Sequence, residues 1–166
     1  MGTWGEGLFD NDDAADFLSG LRESDDTELE LARYLRLATG EYVEAPEGAS
    51  AVAAATVVAI LCSDSVDPVV MSWSEEVADI RVKQTQAHAL GLLASAAITR
   101  VTGTGSELAD LWEDGDASQW RAFVGAVDTS LRGIGIPDYH DWAPYPGLVE
   151  AAGIARFAIP MWPLMS

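Results

Sequence analysis

The feature that most constrains the fold is a long apolar stretch in the first half of the chain. From Ala49 to Cys62 only Ser50 and Thr56 interrupt the apolar residues, and alanine is the most frequent of them. A helix that is apolar on every side is normally the buried centre of a bundle. The stretch is shorter than the 20 or so residues that cross a bilayer. It therefore predicts a central helix, beginning near Pro46, which suits a first helical turn.

Helical periodicity on both sides of this stretch predicts an all-α fold, a compact bundle of about five to seven helices. One helix is expected from Asp10 or Asp12 to about Glu23, and residues 25–27 are expected to open a second that stops at Gly40. Farther along, residues 63–74 are interpreted as a loop and residues 75–101 as a long helix that could break near Val82. Two shorter helices are expected to start with Ser106 and Ser118 as caps. The core should include Val52, Ala55, Ala59 and Leu93.

The chain of 166 residues is expected to form one helical domain over residues 1–133, followed by an extension over residues 134–166. Residues 1–9 read as an N-terminal arm that buried Trp4 and Phe9 would hold to the bundle. The extension is rich in proline and aromatic residues, too apolar to stay in water. We expect it to pack on its own bundle. Exchange between two copies, giving a homodimer, is the alternative.

Charge is the strongest signal about partners. The chain has 27 acidic and 9 basic residues, a formal net charge of −18. Residues 1–50 contain 13 acids and 3 arginines, so 13 minus 3 gives a local charge of −10. Direct nucleic-acid binding is not expected, because it needs a basic patch. The acidity fits either solubility and salt adaptation or a basic protein partner, whose association complementary charge would accelerate.

Localisation and redox chemistry follow from what the sequence lacks. No basic segment precedes an apolar segment at the N-terminus, so we expect a cytoplasmic protein with no signal peptide and no membrane association.

A single cysteine, Cys62, excludes an internal disulfide. Its apolar neighbours predict a buried, unreactive thiol.

Two acidic clusters are the candidate chemical features. The first contains Asp10, Asn11, Asp12 and Asp16, and such oxygens suit hard cations. Ala15 and Leu21 stand where a calcium-binding EF-hand loop needs glycine and glutamate, so helix capping explains this cluster better.

The second cluster contains Glu41, Glu44 and Glu47, which could meet the first across a groove or remain solvated. Neither cluster, nor the surroundings of His140, contains a complete set of metal ligands. We expect no bound metal at these places. No glycine-rich phosphate loop is present, so no cofactor is expected.

The opening sequence, MGTWGEGLFDNDDAADF, resembles a bacterial family of small proteins that begin MGxWGxGxFDNDxAxDF, the domain-of-unknown-function family number forty-two fifty-nine. Two later stretches are also similar to the family: residues 42–47 and residues 106–112, the latter including Trp112. The resemblance covers roughly residues 1–133. It implies no activity.

Two functional hypotheses remain open. The first is a non-catalytic interaction module that binds a basic partner, one form of which is an immunity or antitoxin-like protein. The alternative is a small enzyme with a carboxylate or metal-assisted site. That site would use the four acidic residues Asp10, Asp12, Asp16 and Glu44. No catalytic residue is assigned; the candidate binding residues are Trp4, Asp10, Asn11, Asp12, Asp16, Glu44 and Trp112.

Overall fold

The computed structural model describes residues 12–113 and 117–134, which form an all-α bundle. Helices cover 71% of these residues, and no strand occurs among them, so the predicted fold class is confirmed. The seven helices are α1 (Asp12–Glu23), α2 (Thr27–Leu37), α3 (Ala45–Cys62), α4 (Pro68–Met71), α5 (Gln84–Val101), α6 (Glu107–Glu113) and α7 (Ser118–Arg132).

The central helix is α3, as the apolar stretch predicts. It packs against α1, α2, α5, α6 and α7, and 13 of its 18 residues are buried. Val52, Ala55 and Ala59 on α3 and Leu93 on α5 are all in the core, as expected. The short alanine side chains allow several neighbours to approach α3 at once.

The helix α3 is also longer than its apolar stretch, because its first turn begins at Ala45 with Pro46 near the start. By length and composition alone, its 18 residues would suit a membrane span. However, 72% of the helix is buried inside the bundle, the burial that the core helix of a soluble protein also shows.

The helices α1 and α2 form a pair on one side of α3. Asp26 caps α2, because its carboxylate accepts a hydrogen bond from the backbone N–H of Leu29 at 3.0 Å. Phe17 and Tyr34 join the two helices through an edge-to-face ring contact with centroids 4.8 Å apart. The predicted buried face of α2 is confirmed, since Leu31, Leu35 and Ala38 are fully buried.

The segment 63–74, interpreted from sequence as a loop, contains the one-turn helix α4. Asp67 caps this helix, because its carboxylate accepts from the N–H of Val69 at 2.9 Å, and Pro68 occupies the first helical position. Val70 is buried, whereas Val69 and Met71 are exposed. The loop interpretation was therefore wrong at these residues, and the Asp-Pro pair was the signal that it overlooked.

The long helix expected over residues 75–101 starts only at Gln84. Side chains from α1 and α2 hold the preceding segment in turns. Arg22 donates to the carbonyl of Glu76 at 2.5 Å and to the carboxylate of Asp79 at 3.0 Å. The backbone N–H of Lys83 donates to the carboxylate of Glu28 at 2.7 Å, and Glu28 is only 7% exposed. These tertiary hydrogen bonds replace helical ones, so the expected helix was wrong before residue 84.

The last two helices start close to the expected serines. Ser106 precedes α6 and its hydroxyl accepts from the N–H of Ala109 at 3.3 Å, as predicted. Ser118 is the first residue of α7, with Ala117 at the capping position, so that cap was misplaced by one residue. The face of α7 toward the core carries Trp120, Val124, Val127 and Leu131, all buried.

Burial in this bundle makes a matched pair of leucine substitutions informative. Leu93 is 1% exposed on α5, whereas Leu29 is 58% exposed on α2. We expect Leu93→Ala to lower the free energy of unfolding by about 2–5 kcal/mol, because it removes buried methyl groups and leaves a cavity. Leu29→Ala should change it by no more than about 0.5 kcal/mol. Urea unfolding followed by circular dichroism measures both; equal effects would contradict the assigned core.

Candidate functional site

Two connectors that are distant in sequence lie side by side: residues 38–44 between α2 and α3, and residues 102–106 between α5 and α6. Val43 forms a parallel bridge with Ser106. The N–H of Val43 donates to the carbonyl of Gly105 at 2.9 Å, and the N–H of Glu107 donates to the carbonyl of Val43 at 2.9 Å. Backbone hydrogen bonds therefore fix the relative position of the two connectors.

Gly105 makes this approach possible. Its φ of +83° lies in the left-handed region, which side chains other than glycine rarely adopt. A Cβ atom there would also lie 2.8 Å from the carbonyl oxygen of Glu41. Any larger residue at this position would separate the connectors.

Two side chains add to the link between the connectors. Arg100, in the last turn of α5, donates to the carbonyls of Gly40 and Glu41 at 2.5 and 2.8 Å. The carboxylate of Glu107 accepts from the N–H of Ala45 at 2.8 Å, at the start of α3. Both contacts use main-chain atoms, those of Arg100 within the first connector and that of Glu107 at the first residue of α3, so they fix the connector and the start of α3 against α5 and α6.

The outward side chains form what we call the junction surface, defined by Glu41, Tyr42, Glu44, Glu107, Asp110 and Leu111. Val43 is fully buried, whereas its neighbours Tyr42 and Glu44 are exposed. On α6, Glu107 and Leu111 are four residues apart and share one face. Tyr42 is 56% exposed and Leu111 is 55% exposed.

Carboxylates dominate the electrostatics of the junction surface. Partial loss of hydration raises the pKa of the Tyr42 phenol above its ordinary value, and the charges of Glu107, Asp110 and Glu44 raise it further. Within residues 12–113 and 117–134, no cation forms an ion pair with a carboxylate of this surface. The surface therefore combines exposed apolar area with uncompensated negative charge.

A separate feature is a cleft of about 400 Å³ beside α5, α6 and α7. Trp112 and Trp120 line it and stack with centroids 5.9 Å apart and ring planes 10° apart. Its charged lining is paired, since Arg121 contacts Glu113 at 3.3 Å and Arg132 contacts Asp128 at 2.8 Å. Unlike the junction surface, the cleft has a balanced charge.

The candidate residues from sequence fall in different places. Trp4, Asp10 and Asn11, and the expected metal-free position at His140, lie outside the described residues, as do Phe9 and the extension beyond residue 134. Asp12 and Asp16 are exposed on α1, and neither lines the cleft.

Of the four candidate residues that the structure describes, two lie at the features described above. Glu44 belongs to the junction surface, and Trp112 is partly buried in the cleft. The described part of the chain contains no group of three histidine, cysteine or acidic residues arranged to hold a metal ion.

Sequence reasoning missed Tyr42, Asp110 and Leu111 as surface residues of interest. A signal was nevertheless present, because the stretches 42–47 and 106–112 carry the resemblance to the family. The bridge between Val43 and Ser106 brings these two stretches into contact.

Cys62 is buried, as its apolar neighbours predict. Burial raises the pKa of its thiol to about 11, and the negative charge of Glu28 contributes to the shift. A thiol with this pKa is almost fully protonated at neutral pH, so it is not an activated nucleophile.

The fold and the junction surface define the protein as a small all-α bundle with an acidic, partly apolar exposed patch. Residues 2–122 match the family described as "Domain of unknown function (DUF4259)", and the chain belongs to this family. The match includes both connectors and ends inside α7. No curated protein and no solved structure matches the chain.

The raised pKa of Cys62 predicts a pH dependence of stability. The unfolded thiol ionises near pH 9 and the folded thiol near pH 11. Since the unfolded state loses its proton first, the thiol's contribution is complete below pH 9 and disappears as the pH rises through 11. We expect the stability of the wild type to fall by up to about 3 kcal/mol more than that of Cys62→Ala over this range. Urea unfolding of both proteins at pH 8, 9, 10 and 11 measures it; parallel curves would contradict the prediction.

Proposed function

We propose that the protein is a non-catalytic interaction module that binds a basic protein segment at the junction surface. The observation that carries the proposal is the exposure of Tyr42 and Leu111 among four carboxylates on a backbone-linked support. An aromatic residue that is ordered and exposed supplies apolar contact area at low entropic cost. Surrounding carboxylates would steer and orient a basic partner.

The distribution of cations supports this assignment. Arg22, Arg33, Lys83, Arg121 and Arg132 each pair with an acidic side chain outside the junction surface. Arg100 touches the junction but donates to carbonyl oxygens. In the described part of the chain, no ion pair involves the exposed carboxylates of Glu41, Glu44 and Asp110, so they are accessible to an external partner.

An immunity or antitoxin-like role is one specific form of this proposal. A small acidic module that covers a basic surface could block a toxin whose substrate is itself acidic, such as nucleic acid, since the toxin would need a basic site. If the protein has this role, a gene for a basic toxin should lie next to its own gene.

The alternative, an enzyme with carboxylates from Asp12, Asp16 and Glu44 together with Asp10, has less support. The three described carboxylates are all exposed, and they do not share the cleft with the stacked tryptophans. Acid–base chemistry in proteins usually depends on buried or tightly coupled groups. An interaction surface needs neither.

We expect substitutions at the junction surface to weaken partner binding without changing the fold. A photo-crosslinking amino acid at position 42 would capture the partner in cells, with the same amino acid at exposed position 64 as the control. For the purified partner, Glu44→Gln with Asp110→Asn should lower affinity about tenfold or more at low salt, and Tyr42→Ala by a similar factor. Isothermal titration calorimetry measures these affinities.

A matched control for charge is the pair Asp64→Asn and Glu75→Gln, which removes two exposed carboxylates elsewhere on the surface. This control should change affinity less than twofold. If both double variants weaken binding equally, only the net charge of −18 matters, and the proposed site is wrong.

A further inference from the structure

Assuming the proposed function, we infer that the basic partner inserts an arginine at the junction surface, where its guanidinium stacks on the Tyr42 ring and pairs with the carboxylates of Glu44 and Asp110. An arginine is a more specific requirement than a positive net charge. The same three chemical groups, a guanidinium, a tyrosine ring and a carboxylate, lie together elsewhere in the bundle.

That internal arrangement lies on α2. The guanidinium carbon of Arg33 lies 4.3 Å from the ring centroid of Tyr34. The same guanidinium donates through Nε to the carboxylate of Glu30 at 3.1 Å, and its Nη2 donates to the other carboxylate oxygen. One arginine therefore stacks on a tyrosine ring and donates hydrogen bonds to a carboxylate at the same time. The planar guanidinium with its several N–H donors makes both contacts possible.

The junction surface has the tyrosine and the carboxylates of this arrangement without the guanidinium. In the described part of the chain no cation lies over the Tyr42 ring, whereas Tyr34 has one. Arg100 cannot supply it without giving up its two hydrogen bonds to the carbonyls of Gly40 and Glu41. Those bonds hold the connector that carries Tyr42, so Arg100 is already engaged, and our inference assigns the place over the ring to an arginine of the partner.

The geometry of the surface favours arginine over lysine. Tyr42 and Glu44 are both exposed on the connector, Asp110 is exposed on the adjoining helix α6, and the charges of both carboxylates act on the Tyr42 phenol. A guanidinium can lie flat on the ring while its edge donates to a carboxylate, whereas an ammonium is more strongly hydrated and has no plane to stack. A tyrosine phenol is already neutral near pH 7, and the surroundings of Tyr42 raise its pKa further, so the charge of the site comes from the carboxylates.

The test uses two short alanine-based peptides that carry either arginine or lysine at the same positions. Because their charges are equal, non-specific attraction to the acidic protein is the same for both. We expect the arginine peptide to bind the full-length protein about tenfold more tightly, a difference of about 1.4 kcal/mol. NMR should show upfield ring-current shifts of the arginine δ protons in the complex.

Variants at Tyr42 separate stacking from simple charge. Tyr42→Phe should retain the preference for arginine, because it keeps the aromatic face. Tyr42→Leu should bind both peptides equally, because it keeps apolar area but lacks the ring. Circular dichroism verifies that both variants fold, as expected for a residue that is 56% exposed.

The two proposals fail in different ways. If both peptides bind equally to the wild type, but Glu44→Gln with Asp110→Asn still weakens them more than Asp64→Asn with Glu75→Gln, the arginine inference is overturned and the proposed function survives. If the two double variants weaken the peptides alike, the junction surface is not a binding site and both proposals fall.

Discussion

The close packing of α3 against its neighbours is the constraint on which the rest of the structure depends. Alanine and glycine along this helix let surrounding helices approach the backbone. Gly48 shows how tight the approach is, because a Cβ atom there would lie 3.2 Å from a methyl carbon of Leu108 on α6. The first turn of α3 is therefore held directly against α6. This contact places the start of α3 next to the start of α6, where the junction surface forms.

Backbone contacts fix the arrangement of the junction surface. The bridge between Val43 and Ser106 and the donation from Ala45 to Glu107 use main-chain groups. The outward side chains of Tyr42, Asp110 and Leu111 are consequently not needed to hold the connectors together. Like charges on such a surface repel, and salt largely screens this repulsion only between charges farther apart than the Debye length, about 10 Å at 0.1 M. Packing elsewhere in the bundle stabilises this arrangement, and an oppositely charged partner would relieve the repulsion.

Local sequence signals predicted the helices well where the pattern itself determines the structure. The apolar stretch indicated α3, and the spacing of Leu31, Leu35 and Ala38 indicated the buried face of α2. The errors occurred where tertiary contacts override local preference. Residues 75–83 have helical periodicity, but Arg22 and Glu28 bind their backbone and side chains in turns instead. Neither partner is close in sequence, so no local window could reveal them.

For the same reason, the sequence predicted only some of the residues of the candidate site. Glu44 was selected for its charge, but several of its neighbours on the surface belong to α6. The bridge that joins the two segments links positions 43 and 106, which are 63 residues apart in the sequence. A single bridge leaves no alternating pattern of the kind that identifies a strand. The resemblance to the family marked both stretches without indicating that they touch.

The junction surface and the cleft differ in whether their charged side chains are paired, and Trp112 belongs to the cleft, where they are paired. Around the stacked rings of Trp112 and Trp120, both arginines already have acidic partners. The ring stack also joins α6 to α7, whose own face is buried in the core through Val124, Val127 and Leu131. An aromatic stack of this kind stabilises the short helix α6, which at seven residues would be marginal alone. Because α6 carries Asp110 and Leu111, the stack at Trp112 contributes to the junction surface by holding its supporting helix in place.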